Sequence, residues 1–119
     1  MEMEGSQRIK MFLLLVVQGK LKCNAALVKR HIGTDAACPQ CDGGIEDALH
    51  ALRDCFVVRR IWRELIPSSK YGNFFSIPLR AWLFQNLNNN GHWDRNCAWA
   101  CMFGVALWRI WFWRNKYVF

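Results

Sequence analysis

Four residues in the first half of this chain have the types and spacing to hold a metal ion. They are Cys38, Cys41, His50 and Cys55, in the pattern C-x2-C-x8-H-x4-C. Zn2+ takes thiolate sulfur and imidazole nitrogen at the corners of a tetrahedron. Two cysteines separated by two residues can grip one ion from a single tight turn. Pro39 presets that turn, and Gly43 with Gly44 lets the chain swing back. Cys55 lies five positions beyond His50, about 140° around an ideal α-helix. Both side chains reach one ion only if the helix loosens or ends near Asp54. Four protein ligands leave no open coordination position, so the expected site is structural, with one Zn2+. Asp54 or a backbone carbonyl is expected to receive the free ring N–H of His50. The competing reading is a set of buried free thiols beside a surface histidine.

The remaining cysteines and histidines carry less. Cys23 reads as a buried thiol. Cys97 and Cys101, one helical turn apart, read as core packing, and His31 and His92 have no evident ligand partners.

The elements that must position these residues follow from periodicity. Ile9, Phe12, Leu13 and Val16 repeat at helical spacing, which predicts a helix over 7–17 stopped by Gly19, with residues 1–7 as a frayed leader. Asn24 is placed to cap a short helix running to His31. A site helix over 45–54 would carry Glu46 and Asp47 in its first turn, where carboxylates favour the helix dipole. Val58, Ile61, Trp62 and Leu65 mark one face of a further helix closed by Pro67. Residues 68–76 read as loop and 79–87 as a helix, and Asn88-Asn89-Asn90-Gly91 breaks the chain. A long helix is expected from Trp93 to about Lys116, apolar nearly all round, with a thin basic stripe of Arg95, Arg109 and Lys116. The fold class is therefore mainly α: a small zinc-stabilised helical domain followed by a long aromatic-rich helix. The expected divisions are 1–70 for the zinc domain, 71–92 for a linker with a short helix, and 93–119 for the aromatic helix.

Composition frames this reading. The chain has 119 residues, 53% of them hydrophobic, with seven tryptophans. So small a domain hides that much apolar surface only with help, from a metal or from a partner over the final helix. The formal charge is +7, and between Arg8 and Thr34 there is no acid. Arg8, Lys10, Lys20, Lys22, Lys29 and Arg30 in that stretch suit a phosphate-rich partner, RNA or DNA, or equally a plain solvated face. No small-molecule substrate is implied. The acidic start MEMEG and the short apolar run after it do not make a secretory signal, so a reducing, intracellular compartment is expected, without a choice between nucleus and cytoplasm. The stretch 97–113, with Arg109 as its one charge, is slightly short for a membrane span and is expected not to be one.

Several segments together carry a resemblance: Ile9-Lys10-Met11-Phe12-Leu13, Gly19-Lys20-Leu21, Cys38-Pro39-Gln40-Cys41, Leu49-His50-Ala51-Leu52-Arg53-Asp54-Cys55 and Ile61-Trp62. The chain resembles the zinc-binding domain of reverse transcriptases from plant non-LTR (LINE-type) retrotransposons, over about residues 7–65. The tail from Trp108 to Phe119 resembles the segment preceding the ribonuclease H domain of such polyproteins. The resemblance implies that Cys38, Cys41, His50 and Cys55 are the zinc ligands. It also implies a module between polymerase and ribonuclease H, helping to engage nucleic acid or to hold the enzyme together, with one of those domains covering the 93–119 helix. Leu14 and Phe56 depart from the family's usual Trp and Pro, and neither removes a ligand.

Catalysis by the chain itself is not expected. A polymerase needs paired aspartates for two metal ions, and the only adjacent acids are Glu46 and Asp47. A ribonuclease H site needs several carboxylates, and after Cys55 there are only Glu64 and Asp94. A docking scaffold, or a remnant of a decayed retroelement without nucleic-acid binding, is the alternative function.

Overall fold

The computed structural model describes residues 2–41 and 44–118, with side-chain surroundings for 7–41 and 44–116. The expected turn role of Gly43 lies outside the described residues. Helix α1 (Glu2–Val17) starts earlier than the apolar pattern alone suggests, so the segment after Met1 is helical and not a frayed leader. It buries Phe12 and Val16 and leaves Met11, Leu14, Leu15 and Val17 in solvent. Its end is a glycine cap. Gly19 takes φ +70, its N–H reaches the Val16 carbonyl at 3.1 Å, and the Lys20 N–H reaches Leu15 at 2.8 Å. This closing pattern uses the left-handed region, where a Cβ is strained.

Helix α2 (Asn24–Lys29) is short. After the metal-site segment come α3 (Phe56–Leu65), a 3-10 turn over Ser68–Lys70, α4 (Tyr71–Phe74) and α5 (Leu79–Leu87). The expected loop over 68–76 is thus partly helical. Strands β1 (His92–Asp94) and β2 (Cys97–Ala98) form a small antiparallel hairpin, and α6 (Trp99–Val118) closes the chain. The long helix therefore begins six residues later than periodicity suggests. The Asp94 carboxylate accepts the Asn96 N–H at 2.8 Å, an aspartate turn that competes with helix. Arg95 sits in that turn and so does not belong to a helical basic stripe.

The core draws on nearly every element. Trp62, Phe74, Trp82 and Phe103 are buried and meet mostly tilted or edge to face, with centroids 5.1 Å apart for Trp62–Phe74 and 5.0 Å for Trp82–Phe103. Such pairs add to the gain from burial itself. Phe74, Trp82 and Leu83, from the interval 71–92, share one cluster with Phe12, Val16, Cys55 and Leu107. Along α6, Trp99, Phe103, Ala106, Leu107, Ile110 and Arg114 are buried at helical spacing. This chain thus covers one side of α6 by itself, and, as expected from its length, does not surround the helix. The other side stays open. Among the described residues no helix is long and apolar enough to cross a membrane.

Candidate metal centre

The site is assembled from a hairpin and a widened helical turn. Ala37 and Ile45 pair as an antiparallel bridge. The Cys38 N–H reaches the Gly44 carbonyl at 2.9 Å, and the Glu46 N–H reaches Ala36 at 2.7 Å. These bonds clamp residues 36–38 against 44–46. They also hold Ile45 and Glu46 extended, so the expected helix over 45–54 starts only at Ala48. Asp47 caps it, its carboxylate accepting the His50 N–H at 2.7 Å.

Residues His50–Asp54 form a π-helical turn. The Cys55 N–H bonds to the His50 carbonyl at 2.8 Å, an i→i+5 bond that stacks position 55 nearly over position 50. That is the loosening a His-x4-Cys spacing requires. The turn is anchored from behind: Trp62 Nε1 donates to the Leu52 carbonyl at 2.8 Å. Arg53 is buried and donates to the Ile77 carbonyl at 2.6 Å. Its Nε also pairs with Asp54 at 2.7 Å. Asp54, one of the two acceptors expected for His50 beside a backbone carbonyl, is therefore held by its neighbouring guanidinium instead.

The ligand atoms of Cys38, Cys41, His50 and Cys55 all lie within 4.8 Å of one another. Cys38 Sγ and Cys55 Sγ are 3.7 Å apart, and Cys41 Sγ is 3.4 Å from His50 Nε2. With Zn–S of about 2.3 Å and Zn–N of about 2.0–2.1 Å, a tetrahedron separates two sulfurs by about 3.8 Å and sulfur from nitrogen by about 3.5 Å. Both contacts match that tetrahedron, so the donor set and its spacing fit zinc. Burial pushes the Cys38 thiol up to about 12, and the neighbouring Cys41 and Cys55 sulfurs add to this against two backbone N–H groups. A cation among the three sulfurs would offset that penalty and favour the thiolate form that binds metal.

A family model described as zinc-binding in reverse transcriptase matches residues 2–62. The chain belongs to this family. The match agrees with the resemblance to a reverse-transcriptase zinc-binding domain carried by the sequence segments. It is also 34% identical over 113 residues to an Arabidopsis thaliana protein named "Putative ribonuclease H protein". The alignment covers 95% of this chain and 18% of that relative, so the chain spans less than a fifth of the relative's length. No solved structure matches.

The zinc-binding module is completed by residues beyond the matched stretch. Glu46 and Arg114 are 0% and 1% exposed. Arg114 Nε donates to Glu46 Oε2 at 2.8 Å and Nη2 donates to Oε1, a two-pronged pair. Glu46 Oε1 also accepts the Asn24 N–H at 2.7 Å. Arg114 gives its remaining bonds to Asn24 Oδ1 and Asn115 Oδ1, and lies over the Trp111 ring at 4.7 Å. This network ties α6 to the strand between the second and third ligands. From the sequence alone Glu46 belongs to a helix dipole, and its pairing with Arg114 is not evident there. The available signal was a lone Arg at 114 continuing the apolar stripe of 103, 107 and 110.

The expected nucleic-acid residues Arg8, Lys10, Lys20, Lys22, Lys29 and Arg30 are all exposed. They lie on α1, on the linker after it and at the end of α2. Arg80 reaches the end of α1, its Nη2 donating to the Val17 carbonyl at 3.4 Å. Cys23 is buried, with its thiol pushed up by that burial. Cys101 is exposed and Cys97 half-buried, so this pair is not core packing: Cys97 belongs to β2 and Cys101 to the first turn of α6.

Proposed function

We propose that this chain is a non-catalytic module that holds one structural zinc ion at Cys38, Cys41, His50 and Cys55. We assign it to the part of a LINE-type reverse transcriptase between polymerase and ribonuclease H, with nucleic acid engaged by its basic N-terminal half. The observation that carries the zinc assignment is the convergence of the four ligand atoms within 4.8 Å, with two of their separations at tetrahedral values. Bound there, zinc would supply positive charge to the thiolates and fix the hairpin against the π turn. With every ligand position filled by protein, the module's role is architectural. The Arabidopsis relative's name supports the assignment to a ribonuclease H-containing protein.

Lys20, Lys22, Lys29 and Arg30 offer four exposed cations for phosphate contact. Metal analysis should give one zinc per wild-type chain and a large loss for Cys41→Ser. A gel-shift series with single-stranded RNA should show a log–log salt slope that falls by about 3 when all four cations become Ala, at about 0.7 per phosphate contact. Full zinc in Cys41→Ser would sink the metal assignment, and an unchanged slope would sink the nucleic-acid one.

A further inference from the structure

Helices α3 and α6 frame a trough of about 590 Å³ beside the metal hairpin, reached from it by Gln40. Its floor is Val58, Ala106 and Ile110. Its walls are Val57 and Ile61 from α3 and Met102, Val105, Arg109 and Trp113 from α6. The walls are open to solvent: Val57 and Ile61 are each 42% exposed, Val105 38% and Trp113 68%. Ile61 belongs to the face expected to be buried, yet it is left over by the chain's own packing.

We propose that this trough seats an acidic amphipathic helix from a partner polypeptide. The wall residues of α6 run 102, 105, 109, 113, three turns along one side, about 16 Å at 1.5 Å per residue. A helix of similar length lays an i, i+3/i+4, i+7 apolar stripe into such a groove. The charge of the occupant follows from Arg109. Among the described residues it is the only charged side chain lining the trough. It is exposed, and among the described residues it makes no hydrogen bond or ion pair, whereas Arg114 just beyond it is fully engaged. A guanidinium set in apolar walls selects a carboxylate. A second copy is a poor occupant, because a two-fold contact sets like surfaces together and both chains carry +7.

The test uses the zinc-loaded full chain and two labelled peptides of about 16 residues. Both carry the same leucine stripe at i, i+4, i+7 and i+11, flanked by Glu in one and by Lys in the other. Fluorescence anisotropy near physiological salt should show the Glu peptide binding at least about tenfold more tightly, a difference of about 1.4 kcal/mol. Arg109→Glu should reverse that order, and Val105→Asp should weaken both peptides about tenfold or more. Lys20→Glu makes the same charge change away from the trough and should leave the preference intact. Zinc content and helical circular dichroism verify that each variant is folded. The proposal is overturned if neither peptide binds, if Arg109→Glu has no more effect than Lys20→Glu, or if Val105→Asp changes nothing. It is also overturned if sedimentation shows a dimer of the chain that Val105→Asp dissolves, since the occupant is then a second copy.

Discussion

Replacing Arg114 by Met should damage this protein far more than removing a typical surface charge. Methionine keeps much of the side-chain volume and fills irregular space. What it removes is the only counterion, among the described residues, of a carboxylate that is wholly out of water, held by two donors of one guanidinium. The Asn24 N–H remains on Glu46, but a neutral donor does not compensate a buried charge. Breaking a buried ion pair on one side costs about 3–5 kcal/mol. At about 4 °C per kcal/mol for a domain of this size, the midpoint should fall by about 12–20 °C. Urea unfolding of the zinc-saturated protein, followed by tryptophan fluorescence, measures the loss directly. The double variant Glu46→Gln with Arg114→Met removes both charges and should recover most of the stability. A loss below about 1 kcal/mol, the range of an exposed pair, would refute the reasoning. So would a double variant no more stable than Arg114→Met alone.

Gly19→Ala should cost about 1–2 kcal/mol in the same assay, through backbone strain alone. The φ of +70 disfavours a Cβ, while nothing lies within 4 Å of where it would sit. Asp47→Ala removes the cap on the His50 N–H and should cost about 1 kcal/mol; competition against a chelator should show weaker metal retention, since that N–H precedes a ligand. Trp62→Phe should cost about 1–3 kcal/mol by leaving the Leu52 carbonyl without its indole donor, with denaturant midpoints as the measure.

The ligands were legible because their chemistry is local: the residue types and the 2, 8 and 4 spacings carry it. Even the disturbed turn at His50–Cys55 could be inferred, since an ordinary helix places the two on different sides. Helix α5 and the body of α3 followed from periodicity in the same way. What periodicity could not show was competition from distant partners. Glu46 looks like a helix-start residue until Arg114, 68 positions away, claims it. Residues 93–98 look like the start of a helix until the Asp94 turn diverts them. Ile61 looks like core until the packing of α6 leaves it at a groove wall.

The separation of Glu46 from Arg114 also has a consequence in time. Translation proceeds at about 5–20 residues per second, so 68 positions amount to a delay of about 3–14 s. All four ligands are made before the guanidinium that neutralises Glu46 exists. Until Arg114 is made, the nascent segment around Glu46 must keep that carboxylate hydrated, because no buried partner yet exists for it.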